Sequence, residues 1–222
     1  MRTALQHLKK DPVMAKIIAR TGAFAMQYRE PSFETLVRSI VYQQLSGKVA
    51  SVIFARLHAA AGEETLTPAG IMKLRPERMR RAGLSKQKTV YIRELAKHTR
   101  KGTVVFETLA EQQDDFVIEH LTRVKGIGVW TAQMFLMFAL RREDVLPVAD
   151  LGIRAAIKRA YGLDELPKEA EMVEIAKAWK PYTSIACWYL WRSLENEGVL
   201  APADGAKAST LVLDGPAPHD PR

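Results

Sequence analysis

Cysteine is almost missing from the sequence, since Cys187 is the only one among 222 residues. One thiol cannot provide an intrachain disulfide, a thiolate zinc site or an iron–sulphur cluster. The five histidines show no HxxxH or HxH spacing, so no histidine metal site is indicated either. Cys187 lies in the apolar stretch SIACWYLW with no histidine nearby, and we interpret it as a small core residue rather than a catalytic thiol.

Long apolar runs are missing as well. No stretch approaches the roughly 20 apolar residues that a membrane-spanning helix requires. The first residues, MRTALQHLKKDP, contain no apolar signal-peptide core. These absences predict a cytoplasmic protein without a membrane partner.

Negative charge is in deficit. The sequence has 33 Lys and Arg residues against 25 Asp and Glu residues, which gives a formal net charge of +8 and an isoelectric point near 9.6. Clustered cations bind phosphates by releasing condensed counterions, so the excess favours a polyanionic partner such as nucleic acid. An unspecialised basic surface is the alternative, and only the positions of the cations can decide between the two.

The alternating apolar pattern of β-strands is nearly absent. Only GTVVFET resembles a strand, and one isolated strand cannot form a sheet. In PSFETLVRSIVYQQLSG, apolar residues recur at three- and four-residue steps, which predicts a helix with Ser32 as its N-cap and Gly47 as its stop. Similar signals predict an all-α protein of about ten helices. The other predicted helices cover residues 12–26, 48–60, 75–82, 86–99, 114–122, 129–140, 151–161, 168–177 and 181–197, with a short one that starts at Pro68.

The segment LTRVKGIGVWTAQMF places a glycine-containing turn between two predicted helices. Gly126 and Gly128 leave backbone N–H groups uncovered, and the positive end of the following helix adds to them, so a phosphate oxygen can bind there. Lys125 adds a positive charge. The alternative is an ordinary tight turn between two packed helices, for which glycine is the usual residue.

Asp150 ends an extended, proline-containing stretch and begins a predicted helix in REDVLPVADLGIRAAIKRAYG. Because Asp is a favoured N-cap, simple capping is one interpretation. A carboxylate at a helix N-terminus is also held ionised by the helix dipole and by free amides. An ionised carboxylate that faces a cleft can stabilise an oxocarbenium-like sugar and orient a water molecule, and both roles can coexist.

The segment LTRVKGIGVWTAQMF resembles the helix-hairpin-helix of the DNA glycosylase superfamily that includes endonuclease III. Within that superfamily, GIGVWTA is most similar to the 3-methyladenine DNA glycosylase II (AlkA) branch. The similarity runs from about Phe33 to Trp191. It implies the two-lobed, all-α glycosylase fold, with a cleft between the lobes.

The expected domain organisation follows this resemblance. One helical domain covers residues 1–200, with one lobe at about 32–140 and a second lobe at about 1–31 and 141–200. No glycine- and proline-rich linker separates the lobes, so they share one chain. The tail, 201–222, is rich in Ala, Pro, Gly and Asp and is predicted to be disordered.

The resemblance implies that the hairpin binds the DNA backbone. Contacts to phosphates are expected at Lys125, Gly126, Ile127, Gly128, Lys48 and Arg154. The backbone carbonyls of Thr122, Val124 and Gly126 are the expected ligands of a sodium or potassium ion when DNA is bound. No other cofactor is expected.

The family's catalytic aspartate lies about twenty residues past the hairpin glycines, and Asp150 stands at that position. A second acidic residue often precedes it in the family, but Ala149 stands there, so a single carboxylate is expected to act. Bifunctional members have a Schiff-base lysine two residues past the second hairpin glycine. Trp130 stands there, so hydrolysis that leaves an intact abasic site is expected.

A glycosylase rotates its target nucleotide out of the duplex, and a side chain fills the gap. Gln44 in YQQLSGK aligns with the family's intercalating residue, with Leu45 as second choice, although the helical phase of Leu45 also fits a core residue. Trp130, Met134 and Trp191 are expected to line the base pocket. A base such as 3-methyladenine is positively charged, and an aromatic face favours it by about 1 to 2 kcal/mol. Met134 replaces a tyrosine of the bacterial type enzyme, so a softer pocket is expected.

The sequence therefore predicts a monomeric, monofunctional glycosylase that removes alkylated bases from double-stranded DNA in base excision repair. One alternative is a non-catalytic helix-hairpin-helix DNA-binding module, which needs the phosphate contacts but neither Asp150 nor an aromatic pocket. The other is a glycosylase of the same fold that acts on oxidised or mismatched bases.

Overall fold

The computed structural model describes residues 1–62 and 66–196. Within these ranges the chain forms thirteen α-helices and one short 3-10 turn and contains no β-strand, so the predicted all-α class is confirmed. None of the described helices is long and apolar enough to cross a membrane. The tail predicted to be disordered, 201–222, lies outside the described residues.

Short connections join the helices along the chain. Several helices begin at a residue whose side chain caps the first turn, as Ser32 does by accepting a hydrogen bond from the Thr35 amide. The helices are α1 (Arg2–Leu8), α2 (Pro12–Thr21), α3 (Phe33–Tyr42), α4 (Gly47–Ala61), α5 (Pro68–Lys73), α6 (Pro76–Arg81), α7 (Lys86–Arg100), α8 (Phe106–Leu109), α9 (Asp114–Thr122), α10 (Val129–Phe138), α11 (Leu151–Tyr161), α12 (Glu169–Ala176) and α13 (Thr183–Asn196), with the 3-10 turn at Lys177–Trp179.

Packing divides the described residues into two units. The central unit consists of residues 28–140 and holds α3 to α10. The terminal unit consists of residues 1–27 together with the described residues from 141 onward, and it holds α1, α2 and α11 to α13. The glycine turn therefore belongs to the central unit and Asp150 to the terminal unit.

In the central unit, α7 packs against α3, α5 and α6. Helix α3 also packs against α4, and α9 packs against α10. One side of α3 is completely buried at Leu36, Val37, Ile40 and Val41. Burial of one such side chain stabilises the fold by about 1.5 to 3 kcal/mol. The spacing that predicts this helix is therefore the spacing of its core residues.

The predicted stop of α3 at Gly47 is wrong. The helix ends at Tyr42, because Gln43 leaves the helical region with ψ 128° and Gln44 takes φ +57°, in the left-handed region. Ser46 then caps α4, and Gly47 is the first residue of that helix. A loop therefore separates α3 from α4, and the helical periodicity of the sequence concealed it.

Three further differences have local causes. Helix α1 is not predicted from the sequence. Helix α8 begins within the strand-like GTVVFET and ends one residue beyond it, and Val104, Phe106 and Leu109 are buried, so these apolar residues serve the core rather than a strand. Helix α2 ends at Thr21 instead of about residue 26, because Gly22 takes φ +83°.

In the terminal unit, α13 packs against α2 and α11, and a polar network at Asp11 joins α2, α11 and the 3-10 turn. Asp11 Oδ1 caps α2 by accepting hydrogen bonds from the amides of Val13 and Met14. Its Oδ2 accepts from the Tyr161 hydroxyl and from Trp179 Nε1, at 3.3 Å. Burial and the bond to Asp11 raise the pKa of Tyr161 well above its usual value. One carboxylate thus fixes the start of α2 to the end of α11 and to the 3-10 turn.

Replacement of Asp11 by Ala should therefore destabilise the fold strongly. The substitution removes an N-cap and the acceptor of the Tyr161 hydroxyl, whereas Trp179 Nε1 keeps the Tyr161 oxygen, at 3.2 Å, as a second acceptor. We therefore expect a loss of about 2 to 4 kcal/mol in the free energy of unfolding. Urea denaturation followed by far-UV circular dichroism measures it. Tyr161→Phe is the matched control, since it keeps the cap, and should cost about 1 kcal/mol. Equal stability of Asp11→Ala and the unmodified protein would contradict the assignment.

Candidate functional site

The glycine turn between α9 and α10 is closed around two apolar side chains. Val124 and Ile127 are buried, and the Ile127 amide donates a hydrogen bond to the Val124 carbonyl oxygen at 3.0 Å. The Val124 amide in turn donates to the Leu121 carbonyl at 3.1 Å. The backbone of the turn is therefore fixed by its own hydrogen bonds before any ligand is considered.

The two glycines of the turn are required for different reasons. Gly126 has φ +99°, and a Cβ atom there would lie 2.1 Å from Cγ of Tyr91, so both its conformation and its surroundings exclude a side chain. Gly128 has φ −90°, which any residue adopts, and a Cβ atom there would meet nothing within 4 Å. The protein's own packing explains Gly126, whereas nothing within the described chain requires Gly128 to be glycine.

The exposed side of the turn consists of Lys125, Gly128 and Val129. Gly128 is the N-cap of α10 and has no side chain with which to cap it. In the part of the chain that the structure describes, the amides of Gly128 and Val129 make no hydrogen bond. Two backbone donors at the positive end of a ten-residue helix are therefore available to an anion. The predicted contact at Ile127 has less support, because its amide is already bonded within the turn.

Gln43 is a site residue that the sequence did not indicate. Its Nε2 donates to the Gly126 carbonyl oxygen at 3.0 Å and lies 3.4 Å from Oγ1 of Thr131, in the first turn of α10. The loop after α3 is thereby joined to the glycine turn, which lies 83 residues further along the chain. The only indication in the sequence is that Gln43 is a polar residue directly after an apolar helix, and this does not predict which residue its side chain contacts.

Lys88 supports the same loop from α7. Its Nζ donates to the carbonyl oxygens of Val41 at 2.7 Å and Gln43 at 2.6 Å. These acceptors lie at the C-terminal end of α3, where carbonyls lack helical partners and a cation is favourable. Burial lowers the pKa of Lys88 to about 8. In the sequence Lys88 is one of many lysines, so only the structure identifies this role.

The loop that Gln43 and Lys88 hold presents Gln44 to solvent. Gln44 is exposed and has φ +57°, a conformation that costs a non-glycine residue about 1 to 3 kcal/mol. Leu45 is half-buried, and its amide donates to the Tyr42 carbonyl oxygen at 3.3 Å. Backbone strain of this kind concentrates at functional sites. The intercalating roles of Gln44 and Leu45 stay predictions.

Asp150 is a fully buried carboxylate at the start of α11. Its Oδ1 accepts hydrogen bonds from the Ile153 amide at 2.7 Å and from Nε1 of Trp191 at 3.0 Å. The first bond is the N-cap that the sequence predicts, since the backbone of Asp150 is extended while that of Leu151 is helical. The second bond joins Asp150 to α13, and it fixes the orientation of both side chains.

Two small residues, Gly152 and Cys187, lie close to Asp150 or Trp191 in the sequence. A Cβ atom on Gly152 would lie 3.1 Å from Asp150 Oδ1 and 3.2 Å from the Trp191 indole, so a larger residue there would have to displace these two side chains by a few tenths of an ångström. Cys187, one helical turn before Trp191, is completely buried. Burial raises the pKa of its thiol well above the usual value, and the charge of Asp150 adds to the effect. Cys187 is therefore a core residue, as predicted.

The other predicted site residues fall into both units. Trp130 and Met134 are buried on α10, and Lys48 is exposed in the first turn of α4, all within the central unit. Trp191 and Arg154 belong to the terminal unit, and Trp191 is half-buried. Nε of Arg154 donates to the Pro167 carbonyl oxygen at 3.1 Å, so part of its guanidinium serves the fold. The roles of these residues toward DNA stay predictions.

Comparison with known proteins identifies the family. The family model described as "HhH-GPD superfamily base excision DNA repair protein" matches residues 37–181. That match covers more than half of the chain, which therefore belongs to the HhH-GPD superfamily of base excision DNA repair proteins. The resemblance of the hairpin segment to helix-hairpin-helix glycosylases is thus confirmed.

Individual relatives carry narrower names. The chain is 34% identical to DNA-3-methyladenine glycosylase 1 of Schizosaccharomyces pombe over 171 residues, which cover 76% of this chain and 75% of the relative. It is also similar to the crystal structure of DNA-3-methyladenine glycosidase from Bacillus halodurans, with 37% identity, a TM-score of 0.79 and coverage of 87% and 89%. The S. pombe 3-methyladenine DNA glycosylase (Mag1) in complex with abasic DNA gives 31% identity, a TM-score of 0.79 and coverage of 92% and 100%.

The two glycines of the turn should respond differently to substitution by alanine. Gly126→Ala forces a side chain into the left-handed region and against Tyr91, so we expect a loss of about 2 to 4 kcal/mol in the free energy of unfolding. Gly128→Ala meets no atoms and should change stability by less than about 1 kcal/mol. Urea denaturation of the two variants provides the measurement. Similar losses in both would show that the turn differs from the geometry described.

The environment of Lys88 should make stability depend on pH. Its folded pKa of about 8 lies below the unfolded value of 10.5, so the unfolded chain binds more protons between these values and stability rises with pH across that window. The stability of the unmodified protein relative to Lys88→Met should therefore increase from pH 8 to pH 10.5. Lys86→Met, at an exposed lysine of the same turn, is the control and should show no such trend. A flat difference for Lys88→Met would contradict the burial of the amine.

Proposed function

We propose that this protein hydrolyses the N-glycosidic bond of alkylated bases, such as 3-methyladenine, in double-stranded DNA and leaves an abasic site. Its family and its relatives support the general activity, that of a DNA glycosylase of base excision repair. The proposed hydrolysis rests mainly on the buried carboxylate of Asp150, which accepts hydrogen bonds from the Ile153 amide and the Trp191 indole. The protein is proposed to act as a monomer.

The glycine turn is proposed to hold the DNA backbone. The amides of Gly128 and Val129 and the dipole of α10 offer a phosphate two donors and a positive field. A phosphate oxygen could approach them closely because no Cβ atom stands at position 128. Lys125, exposed beside them, adds a charge. This accounts for a glycine that the packing of the protein does not require.

A sodium or potassium ion at the turn is part of the proposal. The carbonyl oxygens of Thr122, Val124 and Gly126 would hold it. The Val124 oxygen accepts a hydrogen bond from Ile127 and the Gly126 oxygen accepts one from Gln43, and each carbonyl keeps a second lone pair, so the donor set fits an alkali cation. The ion would supply positive charge next to the bound phosphate.

Asp150 is proposed to stabilise the sugar as the base departs. The negative charge of the Asp150 carboxylate would offset the positive charge that develops on the deoxyribose. The same carboxylate would orient the attacking water. Asp150 has no exposed surface in this structure, so the reaction requires that the residues covering it move when the nucleotide binds.

The everted base is proposed to contact Trp191, Trp130 and Met134. A cationic alkylated base gains about 0.5 to 2 kcal/mol against an aromatic face. The bond from Trp191 Nε1 to Asp150 fixes the ring, so its face would be presented without rearrangement. The thioether of Met134 is polarisable and adaptable, which suits alkylated bases of varied shape. Gln44 is proposed to fill the space that the base leaves in the duplex.

The reaction is proposed to stop at hydrolysis. An alkylated cationic base is already a good leaving group, so the chemistry does not require a strong general acid. Trp130 stands where bifunctional relatives of the resembling family have a lysine, and an indole cannot form a Schiff base with the sugar. No lyase step is therefore expected.

The test is the release of 3-methyladenine or 1,N6-ethenoadenine from a duplex by Asp150→Asn. Asn is also a good N-cap, so the fold should persist, but the charge is lost and we expect the rate to fall by at least about 100-fold. Alkali-induced strand breaks report base release, and fluorescence anisotropy on an abasic-analogue duplex reports binding. Glu143→Gln, at an exposed carboxylate nearby, should keep both.

The results of this test distinguish the proposed function from its two alternatives. Binding without base release, in the unmodified protein as in Asp150→Asn, would point to a non-catalytic DNA-binding module. Release confined to oxidised guanine or mismatched bases would point to a glycosylase of the same fold with another substrate. A covalent adduct trapped with borohydride during base release would contradict hydrolysis without a lyase step.

A further inference from the structure

A basic groove lies on the central unit beside α6, away from the residues described above. It has a volume of about 650 Å³. Four of its six lining residues are cations and only one is acidic. The residues, called the α6 groove below, are Lys73, Leu74, Arg75, Glu77, Arg78 and Arg81.

A second hollow adjoins the α6 groove on the side of α4. It has a volume of about 250 Å³ and is lined by Arg56, Ala59, Ala60, Arg78, Arg81 and Ala82. Arg78 and Arg81 line both hollows, so the two form one continuous basic surface that reaches from α5 across α6 to α4. Small alanine side chains keep the α4 side open.

Among the described residues, the arginines that line this surface form no ion pair with a carboxylate. Across residues 1–62 and 66–196, no ion pair involves Arg56, Arg78 or Arg81. Some exposed cations elsewhere do pair with a neighbouring carboxylate, as Lys97 does with Glu94. Uncompensated clusters of arginine repel one another, and a phosphate-bearing partner relieves that repulsion.

The backbone under the α6 groove is held firmly. Arg93 of α7 donates to the carbonyl oxygens of Ile71 at 3.3 Å and Leu74 at 2.9 Å, which fixes the end of α5. Met79, a residue of α6, is completely buried. The arginines are therefore presented from a fixed backbone rather than from a loose loop, and less backbone entropy is lost when a ligand binds.

Helix α4 connects this surface to the loop that carries Gln44. Lys48 and Arg56 are both exposed on α4 and stand eight residues apart, which is about 12 Å along the helix axis at 1.5 Å per residue. Val52, between them, is also exposed. The exposed side of α4 thus leads from the expected phosphate contact at Lys48 to the α6 groove.

From this continuity we infer that the α6 groove and Arg56 bind backbone phosphates of the same DNA duplex, outside the lesion. The inference rests on the proposed function for the presence of DNA and extends the contact surface beyond the glycine turn. Arginine suits this role because its planar donors match phosphate oxygens. The groove would add affinity that does not depend on sequence or on damage.

The test compares long and short duplexes that contain a stable abasic analogue. The variant is Arg56→Gln, Arg78→Gln and Arg81→Gln combined. With a duplex of about 30 base pairs, three lost phosphate contacts should weaken binding about tenfold at moderate salt and reduce the slope of log affinity against log salt by about 2 to 3. With a duplex of about 10 base pairs, which offers the groove fewer phosphates, the loss of affinity and the change in slope should both be smaller.

Two matched variants keep the result interpretable. Lys97→Gln, Arg100→Gln and Lys101→Gln combined removes the same charge from the far end of α7, where all three side chains are exposed, and should leave long-duplex binding nearly intact. Arg56→Lys, Arg78→Lys and Arg81→Lys combined keeps the charge and should restore most of it. Equal weakening by both glutamine variants, or no weakening by the groove variant, would overturn the inference.

The measurement is independent of the proposed reaction. Binding is read on an abasic analogue, so a protein that fails to release bases still reports whether the groove contacts DNA. At saturating protein, base release by the groove variant should match that of the unmodified protein. Loss of release with long-duplex affinity unchanged would place the groove outside the DNA contact and overturn the inference.

Discussion

The buried carboxylate of Asp150 is the constraint on which the terminal unit's part of the site depends. A buried charge without partners costs several kcal/mol, so its neighbours must supply donors. The chain supplies one from the N-terminus of α11 and one from the Trp191 indole, and Gly152 provides the space in which they meet. Capping and the proposed catalytic role are therefore compatible, because the hydrogen bond that caps α11 and the bond from Trp191 together fix the orientation of the carboxylate.

The central unit meets a comparable constraint with backbone rather than charge. Gly126 closes the turn against Tyr91, whereas Gly128 leaves open space above amides that the described chain does not use. The first glycine serves folding, whereas the second leaves the space that the proposed phosphate contact requires. A stable turn requires glycine at position 126, and an accessible pair of N–H groups is helped by glycine at position 128. The spacing GxG provides both within three residues.

Local patterns in the sequence determined much of the fold. Caps at Ser32, Ser85 and Asp150 and the three- and four-residue apolar spacing located most helices, because these signals act within one or two turns. The sequence did not reveal the end of α3, because the apolar periodicity continues to Leu45 whereas the helical backbone ends at Tyr42. Asp150 and the glycine turn were predicted from their positions in a family motif. The roles of Gln43 and Lys88 could not be predicted. The Gln43 side chain bonds to a residue 83 positions away and Lys88 to residues 45 and 47 positions away, and local sequence does not encode such pairs.

The loop after α3 shows why those distant bonds matter. Gln44 holds a strained left-handed conformation, which a free loop would abandon. Lys88 ties down the carbonyls before it, and the Gln43 side chain ties the loop to the Gly126 carbonyl. The strain is therefore sustained by α7 and by the glycine turn together. If Gln44 enters the duplex as proposed, the residue that fills the gap and the turn that holds the phosphate share one rigid support, so binding at the turn fixes where the side chain enters.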